Sequence, residues 1–159
     1  MKKIILVAII LGLVSACKTN TKADNTENAK AESVESQQSG IPFLVAERYF
    51  VNNTVDDQTY TLKITNEKDF DNYFGKAPVM GQGGTPTEID FSKQYVIAVI
   101  VPKTDNSTTI TPIELSKQGE NILFSYQVSK GEKQSFTIRP ALAIVVNNDY
   151  TGNIEFKEQ

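Results

Sequence analysis

The sequence predicts a mainly β fold, an antiparallel β-sandwich or small open barrel of roughly seven to eight strands with one short helix. Three observations predict it. Apolar and polar residues alternate in several short segments that are separated by turn-forming residues. Two segments are unbroken apolar runs of strand length. Finally, a single stretch of the domain has apolar residues at helical spacing.

The first strands are predicted from alternation and turn residues. In Gln58–Ile64, the apolar side chains occupy alternate positions, as in a half-buried strand. Leu44–Val51 is predicted to form the strand before it. The intervening residues 52–57, NNTVDD, are strong turn formers, so we expect these two strands to form a hairpin.

The helix is predicted over residues 67–74. Asn66 is a good N-cap, and Phe70, Tyr73 and Phe74 share one face that should pack against a sheet. Gly75 is predicted to end the helix in the left-handed conformation.

The remaining strands follow the helix. The run YVIAVIV at 95–101 predicts a central strand covered on both faces. The segment 107–115 contains Pro112, which predicts an edge strand or a bulge. The later strands are predicted at 122–128, between Gly119 and Gly131, at 136–138 leading into 141–146, and at 154–156.

The N-terminus has the pattern of a bacterial lipoprotein signal. Lys2 and Lys3 precede a charge-free apolar run at 4–14, too short for a membrane-spanning helix, which needs about 20 residues. The run leads into Val-Ser-Ala-Cys at 14–17, which resembles a lipobox. Residues 1–16 are therefore predicted to be a signal peptide, and Cys17, the sole cysteine, to be lipidated as a membrane anchor.

The rest of the chain divides into a tether and a domain. Residues 18–40 are mostly Asn, Thr, Ser, Gln, Lys and Glu, so we expect 17–40 to be the lipidated Cys and a disordered tether. Residues 41–159 suffice for a single β-rich domain. The chain has a net charge of −3 and no basic run, which argues against nucleic acid as a partner.

The residue types argue against an enzyme. The chain has no His, so it cannot form a Ser-His or Cys-His pair, and no imidazole can bind a metal. We therefore expect no catalytic residues, no metal and no cofactor. A hydrolase that uses carboxylates alone stays open.

The Gly-rich stretch 79–87, VMGQGGTPT, is the most unusual segment. It does not complete a phosphate-binding motif, because Pro86 replaces the last glycine and no helix is predicted to follow. It is longer than a connection requires, and we predict a protein-binding loop formed by Met80, Gly81, Gln82, Gly83, Gly84, Thr85 and Pro86. The alternative is a compact loop that buries Val79 and Met80. A secondary binding loop is predicted at Thr104, Asp105, Asn106, Ser107 and Thr108.

The order of strands from 88 to 156 resembles a known family. It includes the Asp90-Phe91 entry to the first apolar run, and Thr137 and Pro140 before the second. These features are similar to the C-terminal domain of PrcB-type proteins, which are accessory lipoproteins of a bacterial surface protease complex. The chain departs from the family at 104–110, where a Gly-Gly-Tyr turn is usual. The resemblance implies protein binding beside a protease rather than catalysis.

A second comparison concerns inhibitors of papain-like proteases of the chagasin type. Their loops carry motifs similar to Asn-Ser-Thr-Thr at 106–109, Gly-Gln-Gly-Gly at 81–84 and Arg-Pro-Ala at 139–141. The order along the chain differs and the inhibitors' Trp is absent, so we treat this similarity as coincidental. It does show how a Gly-rich loop can enter a protease cleft.

The expected function is that of a lipid-anchored envelope lipoprotein, in the bacterial outer membrane, acting as a non-catalytic protein-binding module. A protease accessory subunit or a protease inhibitor is the most specific form. The alternative is a lipoprotein that binds a small molecule or glycan in a pocket between sheet and helix. The partner, the side of the membrane, the oligomeric state and the strand order are left open.

Replacing Cys17 with Ser should leave either a precursor with an uncleaved signal peptide or a soluble product. Several acyl chains supply about 0.8 kcal/mol per buried methylene, and the serine hydroxyl cannot replace the lipidated thiol. Cell fractionation and metabolic labelling with a fatty acid measure the effect. Full membrane retention of a variant whose signal has been removed would contradict the lipoprotein interpretation.

Overall fold

The structure, a computed structural model, describes residues 40–81 and 83–159. The predicted signal peptide, Cys17 and the tether lie outside the described residues, apart from residue 40 of the tether, and so does Gln82 of the Gly-rich stretch. The described residues form nine strands and one helix. In chain order these are β1 (Leu44–Val45), β2 (Tyr49–Val51), β3 (Tyr60–Ile64), α1 (Glu67–Tyr73), β4 (Phe74–Lys76), β5 (Gln94–Ile100), β6 (Thr104–Gln118), β7 (Asn121–Ile138), β8 (Ala141–Asn147) and β9 (Ile154–Glu158).

The strands form three sheets. A four-stranded sheet has the order β1-β8-β5-β3, a three-stranded sheet the order β6-β7-β9, and β2 pairs with β4. Every pair is antiparallel except β7 and β9, which are parallel. A parallel pair needs a crossover, and the chain provides it through β8, which belongs to the four-stranded sheet.

The first core lies between the four-stranded and three-stranded sheets. On β5, Tyr95, Ile97 and Val99 point towards it, and on β7 it includes Phe124 and Tyr126. All five side chains are buried. Two sheets that share an apolar core form a β-sandwich. The predicted fold class is therefore confirmed, and of its two predicted forms, the sandwich rather than the small open barrel is observed.

The second core lies on the opposite face of the four-stranded sheet. Val96, Ala98 and Ile100 of β5 pack there with Phe70 of α1 and Phe74 of β4. Because neighbouring residues of a strand point to opposite faces, β5 is buried on both sides, as its unbroken apolar run predicts. The structure therefore has a third layer, formed by α1 and the β2-β4 pair.

The predicted hairpin of residues 44–51 with β3 is wrong. Arg48 has a φ of 63°, and the chain turns there from β1 in the four-stranded sheet to β2 beside β4. β3 pairs instead with β5. The extra turn divides one predicted strand into two short ones, and β4, where the sequence predicts the end of the helix, adds a further strand.

The helix begins as predicted and ends differently. The Asn66 side chain accepts a hydrogen bond from the Asp69 amide (2.9 Å), which caps the N-terminus. The prediction of a left-handed Gly75 is wrong, because Phe74 is already extended and Gly75 lies in β4. A Cβ atom at position 75 would lie 2.4 Å from the Phe50 ring, so a larger residue there would displace that half-exposed ring.

The three-stranded sheet contains the long hairpin of β6 and β7. β6 is an edge strand, and its register shifts between Pro112 and Glu114, so both predictions for Pro112 are confirmed. Gly131 does not end β7 as predicted, because the strand continues through it to Ile138. In the described part of the chain, the helix is neither long nor apolar enough to span a bilayer.

Stability should fall at high pH through Tyr95. Its hydroxyl donates to the Tyr150 carbonyl oxygen (3.0 Å), and burial raises the pKa of Tyr95 to about 12 from 10.0. A pKa raised on folding favours the neutral phenol, so this stability is complete below pH 10 and is lost as the pH rises towards 12. Urea unfolding should show a loss of up to roughly 2 kcal/mol over this window.

The control for this prediction is Tyr95→Phe, which keeps the ring beneath the Lys63 ammonium group, 4.7 Å from its centroid. The variant should lose about 1 kcal/mol at pH 8 with the hydrogen bond. It should then lose less stability than the wild type between pH 10 and 12. Parallel stability curves for the two proteins would contradict the assignment to Tyr95.

Candidate functional site

The Gly-rich loop, residues 78–87 between β4 and β5, is held at both ends. Just before it, the Ala77 amide donates to the Arg48 carbonyl oxygen (2.9 Å). At its end, the Glu47 amide donates to the Thr87 hydroxyl (2.9 Å), and the Tyr49 hydroxyl donates to the Thr87 carbonyl oxygen (2.7 Å). The segment 47–49 therefore fixes the base of the loop to the β2-β4 layer.

Hydrogen bonds also determine the fold of the loop itself. The Val79 amide donates to the Gly84 carbonyl oxygen (2.9 Å), and the Arg48 Nε donates to the Gly83 carbonyl oxygen (2.5 Å). Gly81 and Gly83 have φ values of 111° and 73°, which side chains disfavour. A Cβ on Gly84 would lie 1.9 Å from the Val79 carbonyl oxygen. These glycines serve the backbone geometry of the loop.

The loop presents two apolar side chains to solvent. Met80 is 102% exposed and Val79 is 55% exposed. The alternative of a compact loop that buries both residues is therefore wrong. Of the other predicted contact residues, Gly81, Gly83 and Thr85 are exposed, Pro86 is half-buried, and Gly84 is buried inside the loop.

A cleft of about 410 Å³ lies next to the C-terminal half of the loop. Its lining comes from β2, α1, the end of β4 and the segment that leads into β5. The residues are Tyr49, Glu67, Phe70, Asp71, Lys76, Thr85, Pro86, Thr87, Glu88, Ile89, Asp90 and Phe91. The sequence predicts a pocket between sheet and helix only as an alternative, and its pattern does not identify the lining residues.

Aromatic rings form one side of the cleft. The Tyr49 and Phe70 rings meet edge to face with centroids 5.0 Å apart, and Phe70 lies 5.9 Å from Phe91. Phe70 is buried, and the hydrogen bond of Tyr49 to Thr87 holds its ring. The aromatic side is thus set by the same packing that attaches α1 to the sheet.

The charged residues of the cleft are mostly acidic. Burial, then Asp71 and then Glu67, raise the pKa of Tyr49 above its usual 10.0. Asp90 is engaged locally: hydrogen bonds from Ser92 and then from Lys93 lower its pKa, and its carboxylate lies 3.1 Å from the Lys93 ammonium.

The prediction of a secondary loop at 104–108 is wrong. These residues begin β6 and pair with β7, with Thr104 opposite Ile138 and Thr108 opposite Lys130. Turn-forming residue types suggested a loop, but the irregular pairing here accommodates them within the sheet. Among the described residues, no hydrogen bond or ion pair joins this segment to the Gly-rich loop.

The Gly-rich loop and the cleft are therefore the candidate functional site. Comparisons with protein families, with curated proteins and with solved structures find no match. In residues 40–81 and 83–159, the acidic side chains form no group of three that could hold a metal ion.

Substituting Gly84 should distort the loop. In Gly84→Ala, the new Cβ would meet the Val79 carbonyl oxygen, so the backbone must move; we expect a loss of about 1–3 kcal/mol in urea unfolding. Met80→Ala is the control, because its side chain is fully exposed, and it should stay within about 0.5 kcal/mol of the wild type. Equal stability of all three proteins would show that the loop tolerates a side chain at 84.

Proposed function

We propose that this protein is a lipid-anchored, non-catalytic protein-binding module of the bacterial cell envelope. The Gly-rich loop is the proposed contact surface, and the partner class is a protease or its complex. The resemblance to PrcB-type accessory lipoproteins supports that class of partner. Cys17 is the proposed anchor, and it would keep the domain at the membrane surface.

The observation that carries the proposal is the exposure of Met80 on a loop with a fixed base. Because the Met80 side chain is fully exposed, it does not pack in the protein's own core. The stability of the fold therefore does not explain a methionine at this position. Methionine adapts its shape to an apolar partner surface. A loop held at both ends loses less conformational freedom on binding than a free segment does.

Changing Met80 should reduce partner capture without unfolding the protein. We expect Met80→Asp to lower the yield of the crosslinked partner at least about fivefold, because a charge would have to lose water in an apolar contact. The measurement is affinity capture from chemically crosslinked intact cells, with quantitative mass spectrometry. Thermal melting of the same samples should stay near that of the wild type.

Phe136→Asp provides the matched control. Phe136 is 57% exposed and lies on β7 of the three-stranded sheet. The Gly-rich loop connects β4 and β5, which belong to the other two sheets. The same charge change there should leave capture unchanged. Equal losses for both variants, or no loss for Met80→Asp, would contradict the proposed contact.

The cleft supports a second candidate, a lipoprotein that binds a small molecule or glycan. Its volume of about 410 Å³ is within the range of ligand sites. The described lining contains aromatic rings but no Trp platform, which suits a sugar less well. Saturable binding of a neutral oligosaccharide, with no protein partner captured, would favour this second candidate.

A further inference from the structure

The cleft combines an apolar floor with a charged rim. Tyr49, Phe70 and Phe91 supply aromatic rings, and Pro86 and Ile89 supply further apolar surface. Phe70 is 3% exposed, so the floor is part of the core rather than a mobile surface. A ligand with an apolar stem would therefore find a preformed surface.

The rim has an excess of negative charge. Glu67, Asp71 and Glu88 line the cleft, and no salt bridge engages them in the described part of the chain. Lys76 is the lysine in the lining. Asp90 is already paired with Lys93, which lies just outside it. The unpaired carboxylates therefore outnumber the cation that could balance them.

These properties match a side chain with an apolar stem and a cationic head. Lysine and arginine pack their methylene groups on apolar surface while the head meets carboxylates. A cation near the face of Tyr or Phe gains a further electrostatic attraction. A neutral side chain would gain only the contact with the apolar floor. An acidic side chain would be repelled by the carboxylates of the rim.

We propose that the cleft receives a lysine or arginine side chain of the protein partner. This inference rests on the proposed function, because it takes the partner to be a protein. The Gly-rich loop connects the two contacts: it contributes Thr85, Pro86 and Thr87 to the cleft and exposes Met80. A partner segment would place an apolar side chain against Met80 and a basic one in the cleft.

The test uses the full-length protein in a non-ionic detergent and small probes. N-acetyl-arginine methylamide carries the cationic head, and N-acetyl-citrulline methylamide is its neutral counterpart. Ligand-observed NMR titrations to about 10 mM should show the arginine probe binding at least about threefold more tightly. Indistinguishable titrations of the two probes, or no binding of either, would overturn the proposal.

Charge-matched variants locate the site. Glu67→Gln/Asp71→Asn should weaken binding of the arginine probe by about three- to tenfold, because two rim charges are removed. Glu132→Gln/Asp149→Asn changes the net charge equally at exposed positions outside the cleft, and should leave binding unchanged. Equal weakening by both double variants would show a general charge effect and overturn the assignment.

Partner capture separates this inference from the proposed function. Partner capture should fall in Glu67→Gln/Asp71→Asn, as is also expected for Met80→Asp. If capture falls only in Met80→Asp, the protein-binding function stands and the inference about the cleft fails. If the arginine probe binds but no protein is captured from wild-type cells, the cleft serves a free organic cation, and both proposals fail.

Discussion

The burial of β5 on both faces is the constraint on which the rest of the structure depends. Val96–Ile100 is fully buried, and its side chains alternate between the two sides of the four-stranded sheet. Each side therefore needs its own apolar cover. The three-stranded sheet covers one side, and α1 with the β2-β4 pair covers the other. The candidate functional site is built on this second cover.

Arg48 links the architecture to the site. Its left-handed backbone turns the chain from β1 into the layer that contains β2, and its side chain binds the Gly83 carbonyl oxygen. The neighbouring residues Glu47 and Tyr49 hold Thr87. The residues that complete the second cover therefore also fix the Gly-rich loop. As a result, the exposed Met80 lies on a loop whose base is held by hydrogen bonds.

Sequence reasoning succeeded where local pattern determines structure. The apolar run of β5, the Asn66 cap and the irregularity at Pro112 all follow from neighbouring residues. It failed where the structure depends on contacts between segments that are distant in the sequence. The pairing of β2 with β4 depends on the turn at Arg48, and the cleft joins Tyr49, Glu67 and Glu88 from separate segments. A binding loop that includes Met80 is predicted from the sequence, but the hydrogen bonds that attach this loop to residues 47–49 become apparent only in the folded structure.

The Gly-rich loop is proposed to contact a protein partner in the cell envelope. Site-specific photocrosslinking tests it most directly, with p-benzoyl-phenylalanine placed at Met80 and, as a reference, at the exposed Phe136. We expect one discrete protein adduct from position 80 in intact cells and none from position 136. No adduct at 80, or the same adducts from both positions, would contradict it.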